Sequence, residues 1–375
     1  MQTKRSRVVL VAVAAFAVIV AGCGALGGGG SDAAATATTA EGMGGMTALE
    51  EAAKAEGKLN VIALPRDWAN YGEILDAFSA KYGITIDEQQ PDANSQQEID
   101  AANSTKGTDR APDVFDLGAN VALANTTLFA PYQVGAWADI PDNLKEASGL
   151  WYSDYAGFMS IGCDAAKVAL PATVADLLKP EYKGMIALNG DPTKAAAGFH
   201  GVVMAALANG GSADDITAGI DFFKQLNDAG NLLPVDPTPA TIASGQTPCV
   251  IDWEYNNAAQ ANDTNAAAGI DWQIAIPTDA PPVASYYIQA INKDAPNPAA
   301  ARLWEEFLYS ADGQNGWLRG FARPILQEKL VADGTIDTEA LGKLAEATAD
   351  PVVLTQDQLT AGQDLLTGNW TITIE

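Results

Sequence analysis

Short apolar runs alternate with amphipathic helical segments through most of this chain, and this alternation limits the folds that it can adopt. In the first third of the chain, buried strands are predicted at 60–64, 84–86 and 113–117. The same rhythm resumes further on, with apolar runs at 158–163, 185–188, 249–251, 272–276 and 286–291. Strands that alternate with helices predict a parallel α/β sheet. A chain of 375 residues is long enough to bury two cores.

Several helix starts are also marked in the sequence. Thr47 with Glu50, and Ser95 with Glu98, have the spacing of capping boxes, in which the first side chain and the acid each accept a backbone N–H hydrogen bond. Pro298 lies in the first turn of a predicted long helix, where its missing N–H costs nothing. These signals predict helices that begin near residues 47, 95 and 298.

The first 22 residues have the features of an export signal. Three cationic side chains precede an uncharged apolar run over 8–20, which is too short to span a bilayer. The sequence Val20-Ala21-Gly22-Cys23 resembles a bacterial lipobox, which implies that residues 1–22 are removed and that Cys23 is lipidated. Residues 23–45, rich in Gly, Ala and Thr, predict a flexible tether. The protein is therefore expected on the outer face of the bacterial cytoplasmic membrane, held there by its lipid alone.

The chain is strongly acidic. It carries 47 acidic and 21 basic side chains, and loss of residues 1–22 would remove three basic ones and leave a net charge of about −29. Such a surface repels nucleic acid and anionic lipid headgroups. We therefore predict no nucleic-acid partner, while charge alone identifies no solute.

Two cysteines remain after Cys23. Cys163 and Cys249 both lie in predicted strands, and an exported protein folds under oxidising conditions. We predict that these strands are adjacent and that a disulfide joins the two residues. Two buried, unreacted thiols are the alternative.

The stretch from Pro248 to Asn256 is the strongest candidate for the floor of a ligand site. An apolar run ends there in alternating acids and rings, from Asp252 to Tyr255. On an extended backbone, Asp252 and Glu254 share one face and the two rings share the other. A strand end with solvated acids and one core Trp would give the same pattern.

Other acidic and aromatic side chains follow the predicted strands. Because ligands bind beyond the carboxyl ends of strands in open α/β sheets, residues at these ends are candidates too. For any one of them, core packing or solvation is an equal alternative. The candidate ligand-binding residues are Asp67, Trp68, Tyr71, Asn120, Trp151, Tyr152, Asp154, Asn189, Asp252, Trp253, Glu254, Tyr255 and Tyr286.

In their order along the chain, several stretches resemble extracellular solute-binding proteins of bacterial ABC importers, in the group that includes polyamine-binding and ferric-ion-binding members. The stretches are 59–71, Ala111–Gly118, Ala175–Gly184, Ile291–Pro298 and the helices that end at Arg323-Pro324. The resemblance covers nearly the whole of the chain after the predicted signal.

This resemblance implies a two-lobed α/β fold, the type II periplasmic-binding-protein-like fold, with strands that cross a hinge. Lobe 1 is expected at 46–155 with a return at 280–320, and lobe 2 at 156–279. Residues 321–375 are expected to form C-terminal helices that pack on the lobes. The resemblance also implies a monomer that closes on a small-molecule ligand and docks on a membrane permease with a separate ATPase. One large α/β domain is the alternative.

The candidate residues favour an amine-bearing solute such as a polyamine. Carboxylates give charged hydrogen bonds to an ammonium group, and aromatic faces add cation–π attraction of about 0.5 to 2 kcal/mol each. This combination resembles the pocket of polyamine binders.

Two other ligands remain open. The loop 189–193 enters a predicted helix and, with Arg66, would suit an aminophosphonate or organophosphate, although capping by Asp191 or Thr193 explains the loop as well. Tyr286-Tyr287 resembles the paired tyrosines of ferric-ion binders, but neighbours on a strand face opposite ways. No cofactor and no resident metal are predicted, and His200, the one histidine, is interpreted as structural.

An enzyme is the remote alternative. Asp252 and Glu254 have a spacing that suits paired carboxylates, as in a secreted glycoside-acting enzyme. The sequence has no nucleophile elbow, phosphate-binding glycine motif or metal cluster to support catalysis. The sequence therefore favours a binding protein.

Overall fold

The computed structural model describes residues 29–267, 269–345 and 349–374. The strands are β1 (Lys58–Ile62), β2 (Thr85–Gln89), β3 (Val114–Gly118), β4 (Phe129–Ala130), β5 (Tyr152–Asp164), β6 (Ile186–Leu188), β7 (Cys249–Trp253), β8 (Trp272–Ala275), β9 (Val283–Asn292), β10 (Arg323–Pro324) and β11 (Val352–Val353). The helices are α1 (Gly29–Thr36), α2 (Met46–Glu56), α3 (Tyr71–Tyr82), α4 (Ser95–Thr105), α5 (Ala119–Ala124), α6 (Ala196–Ala208), α7 (Thr217–Asp228), α8 (Pro239–Ala243), α9 (Glu254–Ala267), α10 (Pro298–Leu308), α11 (Ala311–Arg319), α12 (Gln327–Asp333), α13 (Thr338–Leu341) and α14 (Gln356–Ile374).

The mixed order of strands and helices confirms the predicted α/β class. Each strand expected from an apolar run is present, with its ends shifted by up to three residues, except that β5 begins six residues earlier than predicted. Within the described residues, no helix combines the length and the apolar character that crossing a membrane requires. The predicted export signal and Cys23 lie outside the described residues.

Strand β5 connects two groups of strands. Its first half pairs antiparallel with β9, from Tyr152 opposite Gln289 to Phe158 opposite Ala284. Its second half pairs antiparallel with β7 and β8. Strands β3 and β4 extend the β9 side, and β6 extends the β7 side. One continuous strand therefore belongs to both halves of the sheet.

The expectation of a parallel sheet is correct only in part. β1 pairs parallel with β2, and β6 pairs parallel with β7. The pairs of β9 with β3 and of β5 with β7 are antiparallel. The αβ rhythm describes neighbours along the chain, whereas β9 returns from far along the chain to lie beside β3.

The two predicted capping boxes do not form as expected. Helix α2 begins at Met46 after Gly45 and has no side-chain cap. Helix α4 is capped one residue earlier than predicted, because Asn94 Oδ1 accepts from the Gln97 backbone and Gln97 Oε1 accepts from the Asn94 backbone. Ser95 is instead buried and accepts a hydrogen bond from the backbone of Gly118. Asn caps a helix as well as Ser does, so sequence spacing alone does not decide between them.

Part of the predicted tether is packed rather than free. Ala34, Ala37 and Ala40 are buried, and α1 packs against α2 and α10. Buried Arg302 donates to the backbone carbonyls of Ala35 and Ala37. Composition rich in Gly and Ala predicts flexibility, but small side chains also allow close packing against a helix.

The predicted disulfide is confirmed. Cys163 and Cys249 lie directly opposite each other on β5 and β7, both fully buried, at a sequence separation of 86. A bond that closes a loop of this length stabilises the fold mainly by restricting the unfolded chain.

Replacing both cysteines with Ser is expected to lower the free energy of unfolding by about 2 to 4 kcal/mol. Urea unfolding monitored by circular dichroism measures this change. The Cys163→Ser variant alone should lose a similar amount, because either change opens the loop. Equal stability of the variant and the wild-type protein under oxidising conditions would contradict this account.

Candidate functional site

Acidic and aromatic side chains from five segments meet where β3, β5, β7 and β9 approach one another. The loop after β1 supplies Trp68, and the first residue of α3 supplies Tyr71. The strands and the β7–α9 junction supply the remainder, which are Asp116, Asp154, Tyr155, Trp253, Tyr255, Tyr287 and Gln289. Apart from Trp68, which is half-buried, all of them are buried. We call Asp116, Asp154, Tyr71, Tyr155 and Gln289 the carboxyl cluster.

Hydrogen bonds link the members of the carboxyl cluster directly. The hydroxyls of Tyr71 and Tyr155 donate to Asp116 Oδ2, at 2.7 and 3.1 Å. Gln289 Nε2 donates to Asp154 Oδ2 at 2.8 Å and to the Tyr71 hydroxyl at 3.1 Å. Tyr71 and Gln289 thus connect the two carboxyl groups through a chain of hydrogen bonds. The cluster is therefore a built polar site within an aromatic surrounding.

Among the residues that the structure describes, the carboxyl cluster has no cationic partner. None of the ion pairs formed by the described residues includes Asp116 or Asp154. Burial raises the pKa of Asp116 to about 7, against the hydrogen bonds from Tyr71 and Tyr155. Burial, followed by the charge of Asp116, raises the pKa of Asp154 well above its usual range. The site thus holds protons at neutral pH unless a cation enters.

Two further buried acids flank the carboxyl cluster. Glu98 on α4 accepts from the Asp116 backbone N–H at 3.3 Å, and burial raises its pKa well above its usual range. Glu305 on α10 is fully buried, and burial likewise raises its pKa well above its usual range. Four acids therefore share one region of the interior, and a cation that enters favours their ionised forms.

An irregularity in β5 directs Asp154 and Tyr155 into the cluster. The register between β5 and β9 shifts between Ser153 and Ala156. A bulge of this kind redirects side chains, and bulges are common beside functional sites. Asp154 Oδ1 also accepts from the Tyr155 backbone N–H at 2.6 Å, which fixes its carboxyl group.

Aromatic rings form a layer next to the carboxyl cluster. Tyr155 stacks on Tyr287 with centroids 5.3 Å apart and planes 7° apart. Trp68 contacts Tyr255 and Tyr287 edge to face, each at 5.7 Å. Trp253 stacks on Tyr255 at 6.3 Å, so the layer continues to the end of β7. The rings touch one another, so a solute binds between them only if one ring moves.

Trp68 is the ring placed to move. Its indole N–H donates to the Tyr155 hydroxyl at 2.9 Å, but the side chain is only half-buried. The two residues that follow it, Ala69 and Asn70, have φ angles of 45° and 65°, which non-glycine residues seldom adopt. Such backbone strain is often found at ligand-binding segments. Trp68 is thus the least buried ring of this layer and lies next to a strained segment.

The predicted arrangement of the acids after Cys249 is wrong in one respect. Strand β7 ends at Trp253, and Glu254 and Tyr255 already belong to α9, so strand alternation does not place them. Asp252 Oδ2 accepts from Asn256 Nδ2 at 3.1 Å, and burial raises the pKa of Asp252 to about 6 against the opposing effect of nearby Asn189. Glu254 forms an ion pair with Arg323 at 3.3 Å. The charge of Glu254 is therefore already balanced within the protein.

The remaining predicted residues lie in several different places. Asp67 is exposed, and Trp151 is half-buried beside a small apolar cluster around Phe115. Tyr152 is buried with its ring 5.0 Å from that of Tyr309. Asn120 donates to Gln363 at 2.7 Å. None of these four belongs to the carboxyl cluster.

Arg66 and the loop 189–193, which suggested an anionic ligand, both make contacts within the fold. Arg66 forms ion pairs with Asp76 at 2.6 Å and Glu88 at 2.8 Å. In the loop before α6, Asp191 accepts from the backbone and the hydroxyl of Thr193, at 2.9 and 2.7 Å, and pairs with Lys194 at 2.8 Å, whereas α6 itself has no side-chain cap. Arg66 and this loop thus each have partners of their own within the fold.

Tyr286 and Tyr287 lie in β9, and Tyr287 alone joins the ring layer, as expected for neighbours on a strand. His200 is buried, and its Nδ1 lies 2.8 Å from the carbonyl of Ala196. Burial lowers its pKa to about 4, so the ring is neutral at physiological pH. Its ring lies 5.1 Å from that of Trp253, which is consistent with a structural role.

The sequence also contained signals that pointed to the residues not predicted. Asp116 interrupts an otherwise apolar strand, and Gln289 does the same in β9. A polar side chain at a buried strand position must find a partner, so each marks a polar site inside the fold. Tyr155 and Tyr287 stand beside predicted candidates, but only the register of β5 and β9 reveals that they stack.

Comparison with known proteins gives a consistent result for family and fold. Residues 111–341 match the sequence family described as "Bacterial extracellular solute-binding protein". A comparison with curated protein sequences gives no significant match.

Solved structures of periplasmic binding proteins share the fold. The chain is similar to AfuA from Actinobacillus pleuropneumoniae with fructose-6-phosphate bound, at a TM-score of 0.63 and 15% identity over 84% of this chain and 98% of that one. It is similar to iron-bound HitA from Pseudomonas aeruginosa, at a TM-score of 0.59 and 18% identity over 83% of this chain and 97% of that one. It is also similar to AgtB from A. tumefaciens in complex with agropinic acid, at a TM-score of 0.64 and 16% identity over 84% of this chain and 98% of that one. These neighbours have the type II periplasmic-binding-protein fold.

Proposed function

Because the chain belongs to the family of bacterial extracellular solute-binding proteins, we propose that it captures a small amine-bearing solute, such as a polyamine, for an ABC importer. The family and the fold are those of exported binding proteins rather than enzymes. In this role the protein delivers its solute to a membrane permease that has a separate ATPase. The lipid anchor at Cys23 and a monomeric state are part of the same proposal.

The single observation that carries the proposal is the unbalanced charge of the carboxyl cluster. Asp116 and Asp154 are buried, are connected through Tyr71 and Gln289, and lie outside every ion pair of the described residues. A buried carboxylate without a partner is costly, so an empty site must hold protons. An ammonium group supplies both the missing charge and several N–H donors.

The ring layer supplies the second half of the recognition. A cation placed between Trp68 and the stacked pair Tyr155–Tyr287 meets the negative faces of the rings. The alkyl part of the solute replaces the ring contacts that Trp68 makes in this structure. Sugars and aliphatic acids would leave the carboxyl cluster unpaired.

Capture and delivery follow from the arrangement of the two strand groups. A solute that contacts residues on both sides of β5 stabilises the form in which the groups are close, and so shifts the population toward it. In the lobes predicted from the sequence, Trp68 and Asp116 come from lobe 1, and Trp253 and Tyr255 from lobe 2. The permease then distinguishes the loaded protein by its shape.

A thermal-shift screen tests the proposed class of solute. The panel contains putrescine, spermidine, choline, amino acids, an aminophosphonate, phosphate, sugars and ferric citrate. We expect an amine to raise the melting temperature by several degrees, since a ligand that binds only the folded state stabilises it in proportion to the logarithm of its concentration over Kd. A shift with phosphate or sugars and none with amines would overturn the proposal.

Ferric ion is a second candidate, because two hydroxyls converge on one carboxylate. Tyr71 and Tyr155 both reach Asp116 Oδ2, and oxygen donors suit hard cations. Burial raises the pKa of both tyrosines well above the usual range, and the charge of Asp116 adds to this, which disfavours the phenolate form that iron needs. A visible tyrosinate-to-iron absorption band that is lost in Tyr71→Phe would favour iron over an amine.

A further inference from the structure

Helix α14 contacts elements from both groups of strands. It packs against α7, where Trp370 meets Phe223 with ring centroids 5.5 Å apart. Gln358 near its start donates to Asp214 at 2.7 Å, and Gly362 faces Phe199 and Ile216. These contacts fix α14 to the α6–α7 region. The helix also packs against α5, which directly follows β3 on the other side of β5.

We call α5 with the β9 strand group one side, and α6 and α7 with the β7 strand group the other side. One side chain of α14 bonds to both sides. Gln363 Oε1 accepts from Asn120 Nδ2 on α5 at 2.7 Å. Its Nε2 donates to the carbonyl of Thr193, in the loop before α6, at 2.8 Å. Asn120 is buried, and Gln363 and Thr193 are half-buried. The Gln363 side chain therefore accepts a hydrogen bond from α5 through its oxygen and donates one to the loop before α6 through its nitrogen.

The two sides also contact each other directly, at the end of β3 and the start of α6. Gly118, the last residue of β3, lies so close to the start of α6 that a Cβ at this position would be 2.3 Å from Ala196 Cβ. Its backbone angles, φ −57° and ψ 139°, suit any residue. Glycine is thus required at position 118 by the closeness of the two sides and not by its own conformation.

We propose that α14 is a latch for the closed form, in which Gln363 bridges Asn120 and Thr193 and so slows release of the bound solute. The inference rests on the proposed function, because it assumes that the two sides separate when the solute leaves. Helix α14 moves with α6 and α7, and its bond to Asn120 breaks on opening. Gln363 contacts no residue of the carboxyl cluster, so the latch acts on the equilibrium between open and closed forms.

Stopped-flow binding of putrescine to the purified protein tests the latch. Gln363→Ala is expected to raise the dissociation rate about threefold to tenfold, the size expected from the loss of neutral hydrogen bonds, and to leave the association rate unchanged. Gln358→Ala is the matched control, since it removes a glutamine from the same helix whose bond to Asp214 stays on one side. It should change neither rate by more than about twofold.

Two outcomes overturn the latch. The first is equal dissociation rates in Gln363→Ala and wild type, and the second is an equal rise in both glutamine variants. Gly118→Ala provides an independent check, because its Cβ keeps the sides apart and should also speed dissociation while the unfolding midpoint stays within a few degrees.

A readout without solute separates this proposal from the assignment of the solute. Spin labels at Asn103→Cys on α4 and Asp221→Cys on α7 report the distance between the two sides. Gln363→Ala should shift the distance distribution of the unliganded protein toward longer values, and Gln358→Ala should not. If this shift occurs but no amine binds, the latch stands and the proposed solute is wrong. If no shift occurs and putrescine binds with unaltered rates, the latch is wrong and the proposed function stands.

Discussion

Asp116→Asn is expected to weaken the binding of putrescine by about 100-fold, because it removes the charge that pairs with the ammonium group in a buried site. Truncation of one partner of a buried charge pair costs about 2 to 5 kcal/mol, and each 1.4 kcal/mol is tenfold in affinity. The amide oxygen of Asn still accepts from Tyr71, so the folded structure is retained. Isothermal titration calorimetry at pH 8 measures the change in Kd.

Asp67→Asn is the matched control for this substitution. Asp67 has the same side chain and lies one residue before Trp68, but it is exposed. Its replacement should alter Kd by less than about threefold, since an exposed charge interacts weakly through water. Equal losses in Asp116→Asn and Asp67→Asn, or no loss in either, would place the solute outside the carboxyl cluster.

The second large effect concerns pH. Putrescine affinity is expected to rise steeply between about pH 6 and 8, because Asp116 has a pKa of about 7 and must release its proton to pair with the solute. Alkyl ammonium groups keep their protons through this range. Below the pKa, displacement of one proton by the solute makes the affinity rise about tenfold for each pH unit. Titrations at several pH values measure this slope.

The stability of the protein without solute should change in the opposite direction. Asp116 and Asp154 have higher pKa values in the folded state than in the unfolded one, so the folded state binds more protons in between. Their contribution to stability is complete below the unfolded pKa near 4 and is lost as pH rises to about 7. His200, with its lowered pKa of about 4, contributes the reverse, with stability lost as pH falls below 6.5.

The buried acids outnumber the one histidine, so the unliganded protein should melt at a higher temperature at pH 5.5 than at pH 8. Saturating putrescine should reduce or reverse this difference. The Asp116→Asn variant should show a weaker dependence of melting temperature on pH. An affinity that is constant from pH 6 to 8 would mean that the carboxyl cluster does not exchange protons for solute.

Periodic patterns in the sequence were reliable guides to the fold. The apolar runs predicted the central strands, and Pro298 marked the start of α10. The positions of Cys163 and Cys249 in two predicted strands were enough to predict their pairing. In each case the signal is local, because burial on one face imposes a period on the sequence.

Residues that meet only through long-range pairing were harder to predict. Asp116 bonds Tyr155 because β3 and β5 both pair with β9, and no sequence pattern specifies that arrangement. The bulge at Ser153–Ala156 turns Asp154 inward, and strand alternation does not describe it. Glu254 was misplaced for the same reason, since its position depends on where a strand gives way to a helix.

The continuity of β5 has a mechanical consequence. Its 13 residues pair with β9 at one end and with β7 and β8 at the other, so both halves of the sheet share one backbone. A paired strand resists bending at a single bond, so a change of angle between the halves is distributed along it as torsion. The disulfide at Cys163 ties β5 to β7 at the far end, whereas the register shift lies between Ser153 and Ala156. If the halves rotate as proposed, torsion near this shift moves Asp154 and Tyr155, so rotation of the halves and realignment of these polar groups are coupled.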